Sequence, residues 1–363
     1  MTVYADIDLD AIRHNVQTIR ATVDTPVCAV VKANAYGHGA VEVAGAALEA
    51  GATWLAVSSL PEAIELAEVA KDVPILVLSE RSADEMQRFG QHLPASTRLT
   101  VGSTGGVERV AALERSFPVH LKIDTGMHRM GVRPDKVAEA VQVIIGAGLD
   151  LEGIWTHFAI SDEPRDPFTA EQLTIFDEAL DLARAAGANP VCVHTANSAG
   201  ALLHPSSRRD LVRIGLAMYG VHPAPETEAE VDLHPVLELR TFVNTIRTVP
   251  EGATASYGRR WVARRDTRVA TIPVGYADGI RRSSGVLGVD VLVRGERCPM
   301  VGNLTMDQTM VEVGPGVAIG DEVILIGRQG NDEIGANDVA GRLGTIGYEI
   351  LTMLGPRIER RHR

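Results

Sequence analysis

The chain has 363 residues, 45% hydrophobic and 23% charged, an ordinary balance for a soluble globular protein with room for two domains. Its net charge of −12 lacks the basic surface that nonspecific nucleic-acid binding needs, so nucleic acid is excluded as an expected partner. The three cysteines, Cys28, Cys192 and Cys298, are scattered and form no CxxC pair, which excludes a disulfide framework or a zinc site; no metal is expected.

The amino terminus, MTVYADIDLDAIRHNV, carries acidic residues where a signal peptide would be basic. No apolar stretch approaches the length of a membrane span, so a cytoplasmic protein without a membrane partner is expected. The run TVYADIDL (2–9) reads as a strand. From Pro26 short β-rich runs alternate with amphipathic helical stretches: VCAVV (27–31), WLAVS (54–58), ILVL (75–78), RLTV (98–101), VHLKI (119–123), LEGIW (151–155), VCVHT (191–195) and LVRIG (211–215). The stretches at 40–51, 61–71 and 135–148 show helical spacing. Eight β runs suffice to close a (β/α)8 TIM-like barrel, with a doubly wound open sheet as the alternative. A closed barrel leaves no place for the strand at 2–9, which is expected to pack with the carboxyl-terminal domain.

The proline-rich, acidic stretch at 222–235 reads as a linker. Beyond it, the runs 237–249, 268–279, 289–304, 308–313 and 321–327 are β-branched and punctuated by Gly and Pro. The expected domains are a barrel over 1–232 and a mainly β domain over 233–363, with helical spacing returning only in the last forty residues.

Active sites of such barrels sit at the carboxyl ends of the strands. Lys32 closes the first run, where partial desolvation lowers an amine pKa and prepares it to attack a carbonyl. Lys122 and Arg129 follow the fifth run, His157 the sixth, and His194, Asn197 and Ser198 the seventh. Arg213 lies within the eighth, ahead of Gly215 and Leu216. Ser198 and the backbone at Gly215 lie where barrels commonly hold a phosphate. A Schiff-base amine, a phosphate site and a guanidinium for a ring nitrogen together describe pyridoxal 5'-phosphate. A barrel that acts on a phosphorylated sugar through a Schiff-base lysine has the same parts.

The segments AVVKANAYGHG (29–39), LKIDTGMHRMG (121–131), THF (156–158), HTANSAG (194–200), VRIGLAMYG (212–220), SYG (256–258), PVGYADG (273–279), MDQ (306–308) and IGYE (346–349) occur in this order. By them the chain resembles the alanine racemases, fold-type III pyridoxal-phosphate enzymes, across both domains. The resemblance implies a homodimer with shared active sites that interconverts L- and D-alanine by two bases and supplies D-alanine for peptidoglycan. A broad-specificity or serine racemase and a non-catalytic pyridoxal-phosphate carrier are the alternatives, the carrier disfavoured because it would lack the β domain.

Carried over by motif, Lys32 binds the cofactor and serves as one base, with Tyr257 from the other subunit as the opposing base. Arg213 faces the pyridine nitrogen and, as a donor only, keeps it unprotonated. His157 braces Arg213. Arg129 holds the cofactor's phenolic oxygen and the substrate carboxylate, aided by the backbone of Met306 from the partner. Tyr36, Ser198, Gly215, Leu216 and Tyr348 match phosphate-binding positions. Lys122 matches a lysine that is carbamylated in many relatives, and as an ammonium it would repel Arg129. Arg259 and Arg260 after SYG, and Thr305 before MDQ, depart from the common family pattern.

Overall fold

The structure, a computed structural model, describes residues 3–363. Thr2, the first residue of the run at 2–9, lies outside the described residues. The chain forms two compact units, one of residues 10–35 and 39–234, the other of residues 3–9, 36–38 and 235–363.

The first described strand is β1 (Tyr4–Ile7), followed by the helix Leu9–Val23. The eight apolar runs then become β2 (Val27–Val30), β3 (Trp54–Val57), β4 (Ile75–Val77), β5 (Thr97–Val101), β6 (Val119–Lys122), β7 (Leu151–Trp155), β8 (Cys192–His194) and β9 (Val212–Ile214). Each pairs in parallel with its sequence neighbour from β2 to β8, and β9 returns to β2 with Cys28 opposite Arg213. Between β8 and β9 the circuit closes through Asp210 N–H to Val193 O (3.0 Å) and Arg213 N–H to Ala196 O (3.0 Å). The sheet is therefore a barrel rather than a doubly wound open sheet.

Helices cover its outside because the intervening segments carry one apolar stripe each. Ala40–Glu49 buries Val43, Ala44, Ala46 and Ala47; Val137–Gly146 buries Val141 and Ile144. The stretch at 61–71 forms a shorter helix than its spacing implies, Leu60–Glu65, opened by a Ser59/Glu62 capping box. The stretch at 222–235 is packed, not loose: Thr227, Val231 and Leu233 are buried, and Asn15 exchanges hydrogen bonds with the backbone of His234 (2.8 and 2.7 Å).

The other unit is mainly β, with strands β10 (Leu237–Phe242), β11 (Thr245–Val249), β12 (Thr254–Ala255), β13 (Trp261–Val262), β14 (Thr267–Ile272), β15 (Asp290–Val293), β16 (Glu296–Pro299), β17 (Thr309–Glu312), β18 (Glu322–Gln329), β19 (Asp332–Ile334) and β20 (Glu359–His362). β1 lies between β10, antiparallel, and β20, parallel, in a sheet ordered β16-β15-β18-β10-β1-β20. The run at 237–249 is two strands in different sheets, since β11 leaves to pair with β14. Short helices, Ala336–Leu343 and Gly347–Thr352, appear near the end.

Candidate active site

Side chains alternate faces along a strand, so on β6 His120 and Lys122 share a face, on β8 Cys192 and His194 do, and on β9 Arg213 opposes Val212 and Ile214. The apolar members of these strands meet the helices. The polar ones fill the barrel, buried, and must find partners there.

Lys32 follows β2 directly. Ala33, Asn34, Ala35 and Tyr36 after it have φ of 54°, 53°, 51° and 54°, a left-handed turn that side-chain-bearing residues rarely form. Specific bonds hold it: Ala33 N–H donates to Glu62 Oε1 (2.7 Å) and Ala40 N–H to Asn34 Oδ1 (2.9 Å). Glu62 also accepts from the Ser58 and Ser59 amides (2.7 and 3.0 Å), so one carboxylate ties together the ends of β2 and β3. The turn fixes the chain as it leaves Lys32.

Cations crowd this mouth. Burial, then Arg129, pulls the Lys32 amine below its ordinary pKa, with Glu62 opposing. Burial, Arg129 and Arg213 lower Lys122 to about 8. His157 is held neutral by burial and by Arg213, Lys122, Arg129 and Lys32. Arg213, 3% exposed, has no carboxylate in contact among the described residues. It donates from Nη1 to His194 Nδ1 (2.8 Å) and from Nη2 to Thr156 O (2.9 Å), Thr195 O (2.9 Å) and His157 Nδ1 (3.2 Å). Its Nε–H has no partner among the described residues. Trp155 lies beneath, 4.8 Å from both Arg213 Cζ and Lys122 Nζ and stacked on His194.

Ser198 opens the helix Ser198–Leu203, whose N-cap is Asn197. Its hydroxyl accepts from Gly215 N–H (3.0 Å) and Ala217 N–H (3.5 Å), which joins the ends of β8 and β9 beside Leu216. The barrel unit thus gathers Lys32, Lys122, Arg129, His157, Ser198, Arg213, Gly215 and Leu216 at strand ends. Such a mouth suits a ligand with several anionic or electron-rich atoms.

The remaining sequence-derived residues lie in the other unit. Tyr36 and Tyr348 face each other with ring centres 6.1 Å apart, and burial pushes the Tyr36 phenol up. Tyr257 and Met306 are 68% and 53% exposed. Their loops are joined: Asn303 Nδ2 donates to Tyr257 O (2.9 Å), and Ala277 N–H to Met306 O (3.0 Å). Arg259 turns back to Thr254 Oγ1 (3.0 Å), and Thr305 bonds the Gln308 carbonyl (2.9 Å).

The alanine racemase N-terminal domain family matches residues 7–223 and its C-terminal domain family residues 236–362. An alanine racemase from Symbiobacterium thermophilum is 42% identical over 98% of this chain and 96% of its own length. One from Nostoc is 36% identical over 98% and 95%. The crystal structure of alanine racemase from Bacillus anthracis with bound L-Ala-P superposes with a TM-score of 0.92 at 39% identity, covering 99% of this chain and 95% of that one.

The chain belongs to the alanine racemase family.

Several side chains that meet the candidate residues escaped sequence reasoning. Glu62 was hidden in a helical stretch, although its place three residues after Ser59 is a capping-box signal. His120, Glu152, Trp155 and Arg98 lie inside β runs, where sequence offers no sign of what they meet across the barrel.

Proposed function

We propose that this protein interconverts L- and D-alanine with pyridoxal phosphate in the cytoplasm, as a homodimer, and supplies D-alanine for peptidoglycan. Family membership supports the reaction. The observation that carries the cofactor is the pairing of a desolvated amine at Lys32 with Arg213 on the adjacent strand, whose Nη atoms are all engaged while its Nε–H has no partner among the described residues. The Ser198 hydroxyl with the Gly215 and Leu216 backbone adds a phosphate-type anchor. These residues fit a pyridine ring carrying an aldehyde and a phosphate.

When bound, pyridoxal phosphate supplies the electron sink that acidifies the Cα–H of an amino acid. In this reading Lys32 removes or returns a proton on one face, and Tyr257 of a second copy does so on the other. Arg213 donates and never accepts, so the nitrogen it faces keeps its lone pair. Arg129 clamps a planar carboxylate, with the Met306 amide of the second copy beside it. The linked loops that carry Tyr257 and Met306 leave both side chains accessible to a second chain.

Incubation of the purified, cofactor-loaded protein with L-alanine should yield D-alanine, and Lys32→Ala should abolish both that product and the bound-cofactor absorbance. L-alanine left unchanged by loaded protein overturns the reading.

We also propose that Lys122 carries a carbamate. Its amine has no hydrogen-bond partner among the described residues, and burial with Arg129 and Arg213 lowers it to about 8. A neutral amine forms as pH rises through that value, and neutral amines capture carbon dioxide. The anion formed would be attracted to Arg129 where the ammonium is repelled. A high-resolution density map should show the added carboxylate; an unmodified ammonium there contradicts the assignment.

A further inference from the structure

Arg213 is a buried cation whose hydrogen-bond partners among the described residues are all uncharged, and buried charges ordinarily have a counter-ion. An anion lies two imidazoles away. Arg213 Nη1 meets His194 Nδ1 at 2.8 Å, His194 Nε2 meets His120 Nδ1 at 2.8 Å, and His120 Nε2 meets Glu152 Oε2 at 3.1 Å. Arg98 grips Glu152 with both prongs, at 3.0 and 3.1 Å. Both histidines are 0% exposed, so water cannot substitute for any link.

Only one arrangement of protons satisfies this chain with neutral rings. Guanidinium N–H can only donate, so His194 Nδ1 accepts and Nε2 carries the hydrogen. His120 Nδ1 must then accept, and its Nε2–H donates to the carboxylate. Every donor points from the cation toward the anion, and aligned hydrogen bonds strengthen one another in a low dielectric. Burial keeps both imidazoles neutral, reinforced at His194 by Arg213. His120, His194 and Cys192 are close enough to suggest a metal, but all four ring nitrogens are already engaged. Gly153 on β7 shows that the fold accommodates the chain, because a Cβ there would collide with the His120 ring.

We propose that Glu152 is a positioning residue: through His120 and His194 it fixes Arg213 as a permanent donor and sets the direction of its free Nε–H. Replacing the carboxylate with an amide removes that direction. A glutamine can donate to His120 Nε2, which forces Nδ1–H onto His120 and then onto His194, against the Arg213 N–H. The role in catalysis rests on the racemase reading, whereas the proton arrangement does not.

The test is long-range nitrogen–proton NMR on protein labelled with 15N-histidine, in the apo and pyridoxal-phosphate-loaded forms. His120 and His194 are expected as neutral Nε2–H tautomers in both, from about pH 6 to about pH 9. A charged ring or an Nδ1–H tautomer at either position overturns the proposal. Glu152→Gln is expected to mix the tautomers and lower kcat about 10-fold while KM for L-alanine stays within about twofold. Unchanged tautomers or unchanged kcat in that variant also overturn it. Should Glu152→Gln not fold, Gly153→Ala, which displaces His120 and leaves Glu152, is expected to give the same split, and its absence contradicts the proposal. Wild-type protein with the expected tautomers but no racemisation would contradict the reading of function and the catalytic role while leaving the proton arrangement standing.

Discussion

A carboxylate inside a barrel is costly unless donors compensate it, and Glu152 has three N–H groups on it. Burial alone would raise its pKa; the bonds from His120 and Arg98 instead bring it down to about 2. A depressed folded-state pKa adds stability above the unfolded value and loses it as pH falls toward the folded one. The donors on Glu152 therefore contribute stability near neutrality that is lost between about pH 5 and about pH 2. Denaturant unfolding of wild type and Glu152→Gln should differ at pH 7 and converge on acidification. A constant difference across that range contradicts the assignment. Lys32, by contrast, is set by its surroundings to hold its proton weakly, as a base needs.

At the scale of elements, site residues are fixed by short loops that leave no room for side chains. Gly275 is the sharpest case: a Cβ there would run into the backbone of Thr305 and Met306, whose carbonyls bond Tyr276 and Ala277. Gly275→Ala should therefore cost about 2 kcal/mol or more of stability and displace the Met306 loop, read as a lower unfolding midpoint with a raised KM for alanine. Unchanged midpoint and KM would show that the loop yields freely. The eight barrel strands were legible because short β-rich runs recur in alternation with stretches of helical spacing. The strands' carboxyl ends, taken in order, carry Lys32, His157 and Ser198, with Arg213 inside β9. The run at 237–249 misled because periodicity continues across Asn244 while the two halves change sheets. Periodicity also overran the helix at 61–71, which the structure ends at Glu65. The chain from Arg213 to Glu152 was illegible for a different reason. It joins strands β9, β8, β6 and β7 across the barrel interior, and sequence order carries no distance between them.

At the scale of the whole molecule, family membership and fold are settled by matches across 7–223 and 236–362. In the proposed dimer each active site joins Lys32 of one copy to Tyr257 of another. Exposed Tyr257 and Met306, on linked loops, favour a face completed by a second chain. Two single-site variants test this directly, Lys32→Ala and Tyr257→Phe, each nearly inactive alone. Co-expressed in equal amounts, they should assemble mixed dimers in which one of the two sites carries both native residues. With half of the dimers mixed, racemisation of alanine should recover to about a quarter of the wild-type rate. Activity no higher than the average of the separate variants would contradict the shared site.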